Sequence, residues 1–471
     1  MAYRALNSED TRVLDNPNEK QTVSQRPNED VVEHKPRTDK YIWGIYIAII
    51  FFSLIELYSA SSREVTAGHI FRPLFRHALL LGVGCVIMLG LQRVKYQVFY
   101  RLTWPIVFVC VILSVLVFFA GESINGDTRS ISLGFFSLQS SELLKFSTVL
   151  VVARLLGIKR QVVNGKSRIP DRAVITVFGI VLLFSALLVN QGLTNTLLLI
   201  CIAMSMMAIS GVSGRQFWLS VLAFLVLGAC YFAFSMLKNN ISLNDKEKTE
   251  QVVAFNPHDD NRLAQAEPEK KLEKRDTKNN DQMAKNDDDR FITRLKRILN
   301  FLTGNKVKEK ITSENQQEQF SYIAQANGGL FGVGFGNSRE TARLPLAFSD
   351  YIFAIVVEDL GLIGGLFILS LYLLLLARAG AVGARLRKAF PTLLIIGMAV
   401  FIVFQALFHM AIVTGVFPVS GQPLPFISKG GSSIIISSVA LGIMLSVSRY
   451  AARRKDVDLI EEDAAFADNP A

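Results

Sequence analysis

Four cysteines and five histidines are all that 471 residues provide for disulfide or metal chemistry. Cys85, Cys110, Cys201 and Cys230 each fall inside an apolar run, where they behave as small apolar residues, so neither disulfides nor a thiolate site is expected. The first 39 residues are polar and contain no apolar core, so no cleaved signal peptide is expected and the first span must itself direct insertion. No stretch interleaves basic and aromatic residues along one surface, which excludes a nucleic-acid-binding role for the net charge of +10. The G-x-G at Gly334-Phe335-Gly336 follows no strand, which excludes a dinucleotide-binding fold.

What the sequence has instead is apolar length. Hydrophobic residues make up 51% of the chain and the mean hydropathy is +0.34. They occur in blocks near 41–60, 78–92, 102–121, 141–158, 172–190, 194–212, 216–237, 351–377, 391–416 and 430–449. An all-α integral membrane protein of about ten spanning helices is expected, each roughly 20 residues long. An even number puts both termini on one side. The loops on that side carry Arg93, Lys95, Lys159, Arg160, Arg385, Arg387, Lys388, Arg453 and Arg454, so the positive-inside bias makes it cytoplasmic.

The expected organisation follows from these blocks. Residues 1–39 form a polar, disordered cytoplasmic tail, 40–238 carry helices one to seven, 239–349 form a large extracytoplasmic loop, 350–450 carry helices eight to ten, and 451–471 form a cytoplasmic tail. In the large loop, 242–289 is charged and aperiodic, and 290–303 reads as an amphipathic surface helix. Residues 327–338 are rich in glycine, which suits backbone that approaches a neighbour closely.

Three stretches carry polar chemistry. Asp350 stands immediately before the eighth apolar block, where a carboxylate at the membrane boundary suits a proton acceptor for a lipid-linked substrate. The alternative is that Ser349 or Asp350 caps the helix. Glu142 and Lys145 open the fourth span three residues apart. Spacing alone leaves mutual neutralisation and a phosphate-binding role for Lys145 equally open. Arg154 makes that span the least apolar, so it is expected to face other helices. Between the last two spans, Pro423, Pro425 and Gly430-Gly431 forbid a continuous helix, and broken backbone at membrane depth must be buried in protein or line a cavity. Asp350 and Glu358 are eight residues apart, roughly 12 Å along a helix, too far for paired glycosidase acids. His409 reads as a hydrogen-bonded packing residue.

Together these motifs resemble the SEDS proteins (shape, elongation, division and sporulation), which comprise the FtsW, RodA and SpoVE branches. The resemblance runs from about Tyr41 to Tyr450. PLPFISKGGSS at 423–433 is similar to the family's PLPFISYGGSS, with Lys429 in place of tyrosine. NGDTRSISLGFFSLQSSELLK at 125–145 resembles NGA-x-RW-x-x-LG-x-x-x-QPSE-x-x-K, with Ser140 replacing proline. LPLAFSDYIFAIVVEDLGLIGG at 344–365 resembles LPEAHTDFIFA-x-x-x-EELG-x-x-G. The family's PDLGT acid is replaced by Gln191, and two asparagines by His409 and Val413. The first span and the charged insertion look most like the FtsW branch of the Bacteroidetes type.

The resemblance implies a peptidoglycan glycosyltransferase of the cytoplasmic membrane that polymerises lipid II at the division septum. Its implied partners are a class B penicillin-binding transpeptidase and divisome membrane proteins. In that reading Asp350 is the general base, and Arg129, Lys145 and Arg297 stabilise the leaving pyrophosphate. Glu142, Pro425, Ser432 and Ser433 complete the substrate-binding set. The sequence leaves open a divalent cation, an elongation-type (RodA-like) role, and a lipid II flippase that does no chemistry.

Overall fold

A computed structural model describes residues 38–61, 71–120, 122–124, 127–132, 137–157, 161–163, 166–189, 191–231, 233, 311–312, 315–344 and 349–467. Most of the N-terminal tail, the charged insertion 242–289 and the expected helix at 290–303 with Arg297 lie outside the described residues.

The fold is a bundle of long apolar helices: α1 (Lys40–Ser61), α2 (Phe71–Leu91), α3 (Tyr96–Ala120), α4 (Ser140–Leu156), α5 (Asp171–Val189), α6 (Leu193–Ser210), α7 (Gly214–Tyr231), α8 (Gln316–Gly328), α9 (Ile352–Gly383), α10 (Ala389–Val413) and α11 (Gly431–Ala467). Among the described residues nine of these are long and apolar enough to cross a membrane. With the shorter α4, which lies between α3 and α5, they match the ten expected spans. Nine helices of that length and hydropathy make this a multi-pass membrane protein.

Helices are joined in two places by small antiparallel sheets that the apolar pattern did not announce. One orders β1 (Glu122–Ile124), β2 (Asp127–Ser132) and β3 (Ser137–Gln139) before α4. The other pairs β4 (Gln161–Val163) with β5 (Lys166–Arg168) after it.

The core lies around α4, α10 and α11. Of the α10 and α11 spans, 78% and 83% is buried within the protein, against 22% for α2 and 6% for α7. α4 is buried along nearly its whole length, including Ser140, Ser141, Glu142, Lys145, Ser147 and Thr148. The least apolar span is therefore the central one, because polar side chains at membrane depth are tolerated only where protein surrounds them. Arg154, near its C-terminal end, stacks over the Tyr100 ring at 4.3 Å. At that same face Arg378 of α9 grips both carboxylate oxygens of Asp39 at 2.7 to 3.1 Å, fixing the entry to α1.

One helix departs from its expected form. α9 is broken at Gly361, whose backbone is left-handed at φ 71°, ψ −173°. The break frees backbone groups in the bundle, and the glycine-rich segment supplies their partners. Val333 and Gly334 N–H donate to the carbonyls of Glu358 and Asp359 at 2.9 Å, while Leu362 and Ile363 N–H donate to Gly329 and Leu330 at 2.9 and 3.3 Å. Contact is so close that a Cβ on Gly332 would lie 2.1 Å from the Asp359 carbonyl oxygen, and one on Gly361 2.2 Å from that of Leu330. Glycine here is a requirement of two backbones in register.

Candidate functional site

The N-terminal ends of α4, α6 and α9, the C-terminal end of α10 and the segment joining α10 to α11 converge on one polar region. That segment turns back into the bundle, and Pro423 to Ser428 are buried. Its carbonyls are taken up individually: Gln422 by His409 Nδ1 at 2.6 Å, Pro425 by the Tyr372 hydroxyl at 2.5 Å, and Phe426 by the Ser53 hydroxyl at 2.7 Å. Ser428 reaches furthest. Its hydroxyl donates to the carbonyl of Ser349 at 2.7 Å and accepts from the Leu424 N–H at the same distance. The broken segment thereby pins the residue that precedes Asp350.

Asp350 sits half-buried in a turn at the mouth of α9, with the Ser349 hydroxyl 2.7 Å from its Oδ1. Tyr351 occupies the N-cap position of α9, and its own side chain makes no capping hydrogen bond. Asp350 also precedes the helix, so the helical spacing to Glu358 does not apply. Glu358 is fully buried and committed elsewhere: it accepts from the Arg339 N–H at 3.0 Å, from Asn327 at 3.3 Å and from the Ser338 hydroxyl. It anchors the glycine-rich segment to α9, and Asp359 accepts from Ser59 of α1. Glu56 of α1 is wholly inside the bundle, its carboxylate without a hydrogen-bond partner.

Behind this mouth lies a buried network centred on α4. Lys145 Nζ donates to Glu142 Oε1 at 2.6 Å, and both side chains are fully buried. Lys145 also reaches Asn195 at 3.4 Å and Gln422 at 3.5 Å, and Gln422 donates to Asn195 at 2.8 Å. Gln405 donates to Glu142 at 3.0 Å and to Ser433 at 3.3 Å. A buried lysine and carboxylate survive at this depth only when paired and hydrogen-bonded, which the amides provide. Lys145 is thus paired with Glu142 inside the bundle, with its side chain buried. Pro425, Ser432 and Ser433, expected to touch substrate, are also interior, and Pro425 and Ser433 have partners within the bundle.

Two departures from the expected motifs meet here. Ser140, which stands where the family pattern has proline, donates to Gln191, which stands where it has an acid, at 2.5 Å. A neutral amide accepts from a hydroxyl where a carboxylate would bring a second buried charge. Arg129 lies in β2 and its side chain is outside the described residues, as is Arg297. Some polar capacity in the region is unmatched. Among the described residues Glu142 Oε2, Gln405 Oε1 and Gln191 Nε2 have no hydrogen-bond partner. Among the described residues no group of three or more His, Cys, Asp or Glu is placed to hold a metal ion.

Asn195, Gln405 and Gln422 were not singled out from the sequence. The available signal was an amide on an otherwise apolar span, as at Gln405, which at membrane depth requires a partner.

The chain matches the family model for FtsW, RodA and SpoVE, described as cell cycle protein, over residues 39–260 and 289–453. It is 29% identical over 412 residues to a probable peptidoglycan glycosyltransferase FtsW of Trichlorobacter lovleyi, covering 85% of this chain and 91% of the relative. It is 29% identical over 432 residues to the stage V sporulation protein E of Bacillus subtilis, covering 88% and 98%. Among solved structures it resembles a chain of a peptidoglycan synthase complex that coordinates polymerization and crosslinking, with TM-score 0.60, 21% identity and coverage of 88% and 98%. It also resembles the Thermus thermophilus rod shape determining protein RodA, with TM-score 0.55, 20% identity and coverage of 90% and 98%.

Proposed function

The chain belongs to the FtsW/RodA/SpoVE family of cell cycle proteins, and from that premise we infer that it is a peptidoglycan glycosyltransferase polymerising lipid II during septal wall synthesis. Its relatives named peptidoglycan glycosyltransferase cover most of the chain, and the fold matches that of a peptidoglycan synthase. The active end faces outward from the cytoplasmic membrane, both termini are cytoplasmic, and a penicillin-binding transpeptidase crosslinks the strands it makes.

The observation that carries the mechanism is the placing of Asp350. Its carboxylate is half-buried at the mouth of α9, fixed from behind by the Ser428 to Ser349 bond. A lipid-linked substrate keeps its tail in the membrane and offers its sugar at that depth. Asp350 takes the proton from the acceptor sugar 4-hydroxyl as that oxygen attacks the anomeric carbon of the other sugar. The bond to undecaprenyl pyrophosphate breaks, and the pyrophosphate leaves with its electron pair. Arg129 and Arg297 neutralise the developing charge. Lys145 and Glu142, buried behind this mouth, hold α4 to Asn195, Gln405 and Gln422.

Asp350→Asn tests this. Loss of a positioned base costs about 10² to 10⁴ in rate, so purified protein should bind lipid II normally and make glycan strands at least a hundredfold more slowly. Wild-type polymerisation by the variant would remove Asp350 from the mechanism.

A further inference from the structure

At the end of the bundle opposite Asp350, α5 and α7 diverge around a groove of about 490 Å³. Ile175, Phe178 and Leu219 form its apolar walls, and the Phe178 and Phe224 rings, 4.7 Å apart, close it toward the middle of the membrane. Its mouth is different in kind. Asp171 and Arg215 both line it, and among the described residues no ion pair joins them. Asp171 accepts from the Gln216 amide, while Arg215 is exposed and has no ion-pair partner among the described residues. α7 itself is only 6% buried within the protein.

An apolar slot open sideways to the bilayer is filled by hydrocarbon, because a void would leave its lining atoms without dispersion partners. The walls therefore admit an acyl chain, and the mouth selects the headgroup. A guanidinium matches a phosphate in bidentate fashion. The carboxylate beside it matches a primary ammonium and repels a second negative charge. A quaternary ammonium has no N–H to donate to it. We propose that the α5/α7 groove is a binding site for a phospholipid with an ethanolamine headgroup, its phosphate on Arg215, its ammonium on Asp171 and one chain against Ile175, Phe178 and Leu219. In the orientation given above this lipid belongs to the inner leaflet, where basic pockets between helices recognise headgroups.

The test uses full-length protein, delipidated in detergent and offered an equimolar mixture of phosphatidylethanolamine and phosphatidylglycerol with identical chains, with retained lipid counted by native mass spectrometry. Wild type should keep one phosphatidylethanolamine in at least severalfold preference. Arg215→Ala should lower retention of both lipids about tenfold. Asp171→Asn, which still accepts from Gln216, should retain lipid but lose the preference for ethanolamine. Ile175→Trp should exclude the chain with both charges in place. Retention of the two lipids in equal amounts by wild type, or unchanged retention by Arg215→Ala, overturns the proposal. Both charge variants are at exposed positions, so the result stands even if Ile175→Trp fails to fold, and it is independent of polymerase activity.

Discussion

Gly332 and Gly329 offer a matched pair of substitutions that isolates the interlock between the glycine-rich segment and the break in α9. Both glycines are left-handed, at φ 81° and 52°. Alanine at either costs about 1–2 kcal/mol in backbone strain. Only Gly332 is also crowded: its added Cβ would lie 2.1 Å from the Asp359 carbonyl oxygen and 2.6 Å from the Gly361 nitrogen, whereas nothing lies within 4 Å of a Cβ on Gly329. Neither contact can give way, because both atoms belong to backbone. The segment must then lift, breaking the bonds from Val333, Gly334, Leu362 and Ile363. At about 0.5–1.5 kcal/mol net for each bond, four bonds add roughly 2–6 kcal/mol. Gly332→Ala should therefore cost about 3–8 kcal/mol in all and Gly329→Ala only the strain. Thermal unfolding in detergent, followed by a thiol-reactive dye reporting exposure of buried Cys110, measures the difference. Equal midpoints for the two variants would refute the claim that the interlock holds α9 at its break.

The buried pair gives a second contrast. Glu142→Gln alone leaves the Lys145 charge uncompensated and should destabilise by about 3–5 kcal/mol, while Glu142→Gln combined with Lys145→Met should recover most of that loss; a double variant as unstable as the single one would mean that Lys145 has another anionic partner. Orientation is checked by protease added to intact spheroplasts, which should cut between Ser242 and Lys310; cutting only in inverted vesicles would reverse the assignment of both termini and of the lipid-binding leaflet.

The sequence by itself determined the class of protein, because apolar blocks of spanning length leave no other solvent for the chain than a bilayer. It also marked the polar positions that interrupt those blocks. Asp350 before an apolar run, the prolines and glycines of 423–431 and the Glu142/Lys145 pair were all legible, since charge and broken helix are costly at membrane depth and stand out against the pattern. Tertiary structure decided what those residues do to one another. The burial of Lys145 and Glu142 among amides depended on Asn195, Gln405 and Gln422 arriving from α6, α10 and the segment after it, at 50 to 277 residues' remove. The break at Gly361 was invisible within a run whose hydropathy suits one unbroken span, because its cause is a partner backbone from 329–334. The meeting of Ser140 with Gln191 likewise turned two separate departures into one contact. Hydropathy and helical spacing are local properties, readable along the chain. Pairing between buried polar groups is set by which helices pack together, and only the folded bundle contains that information.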